Sequence, residues 1–404
     1  MTVMQKPRTR QFRRVLLALL SLVLILKSRD LAERGVLRVD DFVAYWSAAR
    51  LQLGGTNPYS DDQLSALHKS AGWTHPAPLK MYNPPWTFYV VLPFGLFSYP
   101  LARLLWLFLS VSSIVLAVDW AYGRDGSVPT SRRVSWGLAA LFVPALMAVQ
   151  IGQTSPLLLL GVVGFLACER RQKWLRAGVM LSLLAMKPHL FYLFWLALAC
   201  WTINRRRWAV IAGGVLSLLA SSAIALLFNS AVMTQYLEMI RDQAPPLFWL
   251  TPTLGTFIRG KLGQTQVWLQ FVPMVGGAAW FFHYWKTRQL TWEWSREMPI
   301  LVLVSMATTS YAWLFDQVVL LPFILQAWFW VLAGRNYRLK VLVLSGYTLI
   351  NGLLLILIAF KTEHSYYVWL APVWLAGYLF LRARLQPTRS DAMPWTGVRN
   401  SAVR

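Results

Sequence analysis

The sequence predicts an all-α polytopic membrane protein, a bundle of about 10–13 transmembrane helices, with a long first extracytoplasmic loop. Three observations predict it. Of the 404 residues, 57% are hydrophobic and only 14% are charged, whereas a soluble domain carries about 25% charged residues. Charge-free runs such as 208–228 and 341–360 match the ~20 residues a helix needs to cross a ~30 Å hydrocarbon core. These runs are helix-length rather than alternating and strand-length, so helices, which satisfy their own backbone, are the spanning element. The 22 Trp and 15 Tyr suit a chain whose aromatic rings settle at membrane interfaces.

The net charge of +23 does not imply a nucleic-acid partner. Lys and Arg collect in short segments between apolar runs and at the termini, which is the positive-inside pattern. Cys168 and Cys200 both sit in apolar runs, so neither a disulfide framework nor a metal cluster follows. No two of the five histidines (His68, His75, His189, His283, His364) share a helix-face spacing. A phosphate-binding glycine loop, a dinucleotide fingerprint and a nucleophile elbow are all missing from the sequence. Neither a metal nor a cofactor is therefore expected.

Charge parity orders the elements. The basic clusters are residues 1–14, Arg124 with Arg132 and Arg133, 169–176, 205–207, Lys286 with Arg288, Arg335 to Lys340, and the tail from Arg382. If all face the cytoplasm, an even number of crossings separates successive clusters. Residues 15–26 follow the basic start like a signal peptide, but no small-residue cleavage site comes next, so they read as a retained first helix. Residues 28–85 then form the first external loop. One net return crossing ends near residue 121, which makes 86–98 a re-entrant or interfacial piece. The pair 134–149 and 156–168 turns outside at Ile151–Ser155. A short hairpin, 177–187 with 189–203, is kinked at Lys187-Pro188. The run 208–228 leads to a second external loop, 229–262. Helices within 266–285, 298–313, 318–334, 341–360 and 367–381 put the turns 312–317 and 361–366 outside. Both termini lie inside: residues 1–14 are a cytoplasmic basic segment, 15–384 one membrane domain, and 385–404 a disordered cytoplasmic tail. Most acidic residues, including Asp40, Asp41, Asp316 and Glu363, fall in segments placed outside.

The first external loop carries the most chemistry. Residues 42–53 form an amphipathic helix with Phe42, Tyr45, Trp46, Ala49 and Leu53 on one face, stopped by Gly54-Gly55. Asp40 or Asp41 stands at its N-terminus. Either can be a simple N-cap, or a carboxylate held just outside the bilayer as a general base for a hydroxyl. Tyr82-Asn83-Pro84-Pro85 gives a rigid, extended entry to the next apolar piece. Gln153 sits in a polar turn between two helices. Lys187, followed by Pro188 and His189, lies in an apolar region where a cation faces a cavity or a partner, or else snorkels from a hairpin tip. A lysine there suits a phosphate. The second loop holds Arg259, beside Arg241, Asp242, Pro245 and Pro246. Asp316 and His364 fall in the last two external turns.

Taken in order, D-F-x-x-Y-W-x-A-A-R (41–50), G-G-x-x-P-Y (54–59), Y-x-P-P (82–85), G-Q-x-S (152–155), K-P (187–188) and W-x-x-D (313–316) resemble glycosyltransferase family 87, also described as domain of unknown function 2029. The resemblance covers about residues 35–330. It implies a GT-C fold whose first external loop carries the catalytic carboxylate, matching Asp41, with Asp40 the adjacent alternative. It implies transfer of a sugar, often mannose, from a polyprenyl-phosphate donor to an envelope glycolipid or glycan acceptor, with inversion and without a metal. Substrate contacts are then expected from Tyr45, Tyr82, Gln153, Lys187, His189, Arg259, Asp316 and His364. The family's histidine-rich stretch near the late Asp is replaced here by Phe315-Asp316-Gln317. The implied site is the bacterial cytoplasmic membrane, among membrane lipids. A transporter or flippase of lipid-linked saccharides is the competing class. It would place ionisable groups near the midplane and show two related halves.

Overall fold

The computed structural model describes residues 39–122, 129–242 and 249–385. The basic segment 1–14, the expected first helix, residues 28–38 of the first loop, Arg124, Pro245, Pro246 and the tail beyond 385 lie outside the described residues. Among the described residues there are 17 α-helices and no strand, and the chain is an all-α polytopic membrane protein. Among the described residues, four segments are long and apolar enough to cross a membrane: Tyr99–Asp119, Trp208–Phe228, Leu314–Ala333 and Tyr337–Ala359. Several other expected crossings are shorter helices extended by 3-10 turns. The segment 266–285, for example, becomes Val267–Phe271 as a 3-10 turn followed by Val272–Arg288.

The described residues fold as two compact units. The first comprises the described parts of Met1–Ser112, Val149–Gln153 and Ala220–Ala244. Its centre is α1 (Phe42–Leu53), which begins and ends where the sequence predicts. The expected amphipathic helix is instead buried almost all round. Aromatic partners from distant segments cover it: the Phe42 ring lies 5.0 Å from Trp106 and 6.0 Å from Phe94, and Trp46 meets Tyr99 edge-on at 5.4 Å.

Helix α2 (Asp61–Ser70) follows, then α3 (Phe88–Gly95). Eight residues rise only about 12 Å, so the apolar piece 86–98 does not cross a bilayer. It packs on α1 through Gly95, where an added Cβ would stand 2.8 Å from the Ala49 backbone. The Trp46 indole and the Arg50 guanidinium donate to carbonyls at the end of α3. The first turns of α4 (Tyr99–Tyr122) and the end of α10 (Trp208–Phe228) complete this unit with α11 (Val232–Asp242). Gln52 donates to the Ala225 carbonyl at 2.7 Å, and Asn229 to the Thr56 carbonyl at 3.0 Å.

The second unit comprises the described parts of Ser113–Ala148, Thr154–Leu219 and Pro245–Arg404. The run 134–149, expected as one helix, is α5 (Pro129–Leu141) and α6 (Val143–Gln150) with a break at Phe142. Pro144 explains the break, because it lacks an N–H and clashes with a preceding carbonyl. The Val143 N–H so released donates to the Asn351 side-chain oxygen at 2.9 Å. A polar residue in the apolar α16 (Tyr337–Ala359) thus satisfies a backbone group that hydrocarbon would leave bare. The Tyr347 hydroxyl, one turn earlier, donates to the Leu138 carbonyl.

Helices α7 (Ser155–Arg170) and α8 (Trp174–Leu184) form a close pair, and the hairpin bends at a 3-10 turn, Pro188–Phe191, before α9 (Tyr192–Arg205). Gly178 of α8 lies directly on the backbone of Val210 and Gly213 in α10. Small residues let helices approach this closely in membranes. Gly178→Leu is expected to cost about 1–3 kcal/mol by overpacking. A fall in the unfolding midpoint of detergent-solubilised protein checks this, and a wild-type midpoint would refute the contact.

After α12 (Leu254–Leu262) and α13 (Val272–Arg288) comes α14 (Trp294–Thr308), the most enclosed helix of the unit. Its Trp294 sits among Phe165, Phe194 and Trp201 at 5.2–5.5 Å. Glu297, 2% exposed, takes the Tyr284 hydroxyl and lies 3.8 Å from Arg382 of α17 (Leu370–Leu385). The fold closes with α15 (Leu321–Ala333), preceded by the 3-10 turn Leu314–Leu320.

Candidate active site

Two polar clusters stand out, one in each unit. The first gathers at the start of α1. Chain entry is fixed by Asp40, whose Oδ1 accepts the Phe42 N–H at 3.0 Å. Its Oδ2 takes Arg103 Nε at 2.7 Å, and the Asp40 N–H donates to the Tyr99 hydroxyl. The pair is largely buried, with side-chain exposures of 6% for Arg103 and 15% for Asp40. Burial pushes the Asp40 carboxyl above the usual carboxylate range, against the pull of Arg103.

Asp41 has a different partner. Its Oδ2 accepts the Gln153 amide Nε2–H at 2.8 Å, and Gln153 Oε1 accepts the Tyr45 hydroxyl at 2.9 Å. That relay fixes which way the Gln153 amide faces. Structure therefore separates two adjacent carboxylates that the residue pattern leaves open and that only the family resemblance ranks. Asp40 faces a guanidinium and caps α1, whereas Asp41 faces a neutral amide. That hydrogen bond orients the Asp41 carboxylate.

Gln153 is presented by a turn that needs glycine. Gly152 has φ +70°, and a Cβ there would stand 2.6 Å from Phe42 Cβ and 3.1 Å from Asp40 Oδ1. Left-handed backbone costs a non-glycine residue about 1–2 kcal/mol. Gly152→Ala is thus expected to lower both the unfolding midpoint and turnover. Thermal unfolding and an activity assay on the same preparation check this, and a fully active variant would show that the turn is loose.

The second cluster centres on Asp316, 1% exposed. Its Oδ1 accepts Ser155 Oγ at 2.6 Å and Lys187 Nζ at 2.7 Å, while Oδ2 accepts the Trp313 N–H at 2.9 Å. Lys187 also lies 5.0 Å over the Phe315 ring. A lysine in an apolar run thereby gains a buried counter-ion, rather than snorkelling to water. Trp313 donates to the Tyr311 hydroxyl at 2.7 Å and meets His364 edge-on at 4.7 Å. The His189 ring is 6.1 Å from Tyr311. Arg259 joins from α12 by donating to Gln270 Oε1 and to the Trp249 carbonyl, and the Trp249 ring is 6.0 Å from Trp313.

The expected residues therefore fall into two groups: Asp40, Asp41, Tyr45 and Gln153, and then Lys187, His189, Arg259, Asp316 and His364. Tyr82 sits elsewhere in the first unit, where its carbonyl takes the Tyr236 hydroxyl at 3.3 Å. Sequence reasoning missed Arg103, Tyr99, Tyr311 and the part played by Ser155. Arg103 carried a signal, being a lone cation near the start of an apolar run. Among the described residues, no group of three or more His, Cys, Asp or Glu is placed to hold a metal ion.

The model of glycosyltransferase family 87 matches residues 82–309, more than half of the 404-residue chain. The chain belongs to glycosyltransferase family 87. Neither the curated proteins nor the solved structures yield a match. In this family 87 protein, Tyr82, Gln153, Lys187, His189 and Arg259 lie within the matched stretch. The carboxylates Asp40 and Asp41 precede it, and Asp316 and His364 follow it. As a glycosyltransferase the chain acts on a sugar donor and an acceptor.

Proposed function

We propose that this glycosyltransferase works at the extracytoplasmic face of a bacterial cytoplasmic membrane, with both termini cytoplasmic and a GT-C architecture. It moves a hexose, with mannose the leading candidate, from a polyprenyl-phosphate carrier to an envelope glycolipid or glycan. Asp41 removes the proton of the acceptor hydroxyl as that oxygen attacks the anomeric carbon. The bond to the carrier phosphate breaks on the opposite face, so the configuration inverts. One observation supports this reading: the Asp41 carboxylate accepts the Gln153 amide, which the Tyr45 hydroxyl orients in turn, while the neighbouring Asp40 is tied to Arg103. A general base has to be held in a fixed geometry toward the hydroxyl it deprotonates.

The carrier phosphate is assigned to Lys187, with Arg259 and His364 as further contacts and no metal. A phosphate taken there shares Lys187 with Asp316. Lys187→Gln is accordingly expected to raise the donor KM about tenfold or more, the worth of one hydrogen bond to a charged group. An unchanged donor KM would remove Lys187 from the site.

Purified protein given radiolabelled polyprenyl-phosphate sugars and membrane-extracted acceptors tests the function. Label is expected to move to a glycolipid or glycan. If no sugar moves to any acceptor, or if Asp41→Asn and Asp40→Asn both retain full transfer, the mechanism is wrong. Movement of intact lipid-linked sugar across liposomes without transfer would favour a flippase.

A further inference from the structure

An arginine near the start of an apolar helix ordinarily extends its head to water along its apolar stem. Arg103 does the opposite and is 5% exposed. Its guanidinium makes three hydrogen bonds: Nε to Asp40 Oδ2 at 2.7 Å, and Nη2 to the carbonyls of Val149 at 3.1 Å and Gln150 at 2.7 Å. Val149 and Gln150 are the last residues of α6 (Val143–Gln150). Carbonyls at a helix end have no partner within the helix, and a cation there also meets the negative end of the helix dipole. Arg103 thus fastens the end of α6 to the residue before Asp41.

Both halves of the Asp41–Gln153 hydrogen bond depend on atoms that Arg103 holds. On one side, Asp40 is peptide-bonded to Asp41. On the other, Ile151 and Gly152 alone separate Gln150 from Gln153, and Gly152 turns at φ +70° with no room for a side chain. Because Asp40 balances the guanidinium, the clamp adds no net charge beside Asp41. We propose that Arg103 is a positioning residue of the transfer site, holding the Val149–Gln153 turn so that the Gln153 amide meets the Asp41 carboxylate. The inference rests on the reading of Asp41 as the base.

Lysine discriminates between clamping and mere ion pairing. Its ammonium can keep Asp40 company, but as a point charge it cannot also present the planar fork that reaches two carbonyls. The test uses full-length protein in detergent with the radiolabelled donor, comparing wild type, Asp41→Asn, Arg103→Lys, Gln153→Ala and the Arg103→Lys/Gln153→Ala double variant. Arg103→Lys is expected to lower kcat about 10- to 100-fold, the scale of a small misplacement of a reacting group. Its donor KM should stay within about threefold, because the clamp acts on the chemical step rather than on binding. The double variant should be no slower than Gln153→Ala alone, since both changes disable one contact.

A wild-type kcat in Arg103→Lys overturns the inference, as does a change confined to KM, a wild-type kcat in Gln153→Ala, or additivity in the double variant. If Arg103→Lys does not accumulate, Arg103→Gln replaces it under the same criteria. When Asp41→Asn loses transfer and Arg103→Lys does not, the clamp fails while the proposed function stands. When wild type transfers nothing, or Asp41→Asn transfers normally, the functional reading fails and takes the clamp with it.

Discussion

Replacing Asp41 with Asn is expected to lower kcat by about 10²- to 10⁴-fold, the range typical of a lost general base. The unfolding midpoint should stay close to that of wild type. Asparagine keeps the shape of the side chain, and its carbonyl oxygen can still accept the Gln153 amide, which in wild type donates to Asp41 Oδ2 at 2.8 Å. What is lost is the ability to carry a proton. Asp40→Asn is expected to keep far more activity. The Asn side-chain oxygen can still accept the Phe42 N–H that caps α1, or the Arg103 Nε–H. Single-turnover assays of the two variants side by side decide the matter. Equal losses in both would show that the two carboxylates act as one group, and a reversed order would make Asp40 the base.

The largest stability effect is expected at Arg103. Arg103→Met removes the partner of a carboxylate whose side chain is only 15% exposed, and leaves the carbonyls of Val149 and Gln150 without their donor. Breaking a buried pair by removing one member costs about 3–5 kcal/mol. Sign matters for pH. Asp40 has a raised carboxyl in the folded state, so the folded protein holds that proton more tightly than the unfolded chain does. Arg103→Met should raise it further, so the gap in stability between variant and wild type should narrow as the pH falls and Asp40 takes up its proton. The measurement is the unfolding midpoint of both proteins across a pH series. A constant gap between them would mean that the Asp40 charge is not what Arg103 stabilises.

Much of the fold was legible because membrane helices announce themselves by what they lack. The run 208–228 is charge-free between Arg205–Arg207 and Asn229, and the helix Trp208–Phe228 occupies it end to end. The start and stop of α1 were legible from the Asp pair and Gly54-Gly55. Its burial almost all round was not, since Tyr99 and Trp106 are brought to it from more than fifty residues away. The break at Phe142 was readable in principle from Pro144, but the apolar run concealed it.

The site divides in the same way. Lys187 and Asp316 were each conspicuous as lone charges, yet their 2.7 Å pairing joins residues 129 apart in sequence. Nothing local to either one announces the other. The residue pattern alone left Asp40 and Asp41 open for a stronger reason, and only the family resemblance favoured Asp41. Their difference depends on which carboxylate meets Arg103, and the cap logic of the sequence is identical for both.

The Asn351 hydrogen bond sets an order of events during synthesis. The Val143 N–H that it accepts is made 208 residues earlier in the chain. At a synthesis rate of about 5–20 residues per second, that interval is roughly 10–40 seconds. Until α16 arrives, the gap between α5 and α6 has to borrow a partner from water or from the insertion machinery. The break is therefore sealed late, and chains truncated before Asn351 would leave the Val143 N–H without this acceptor.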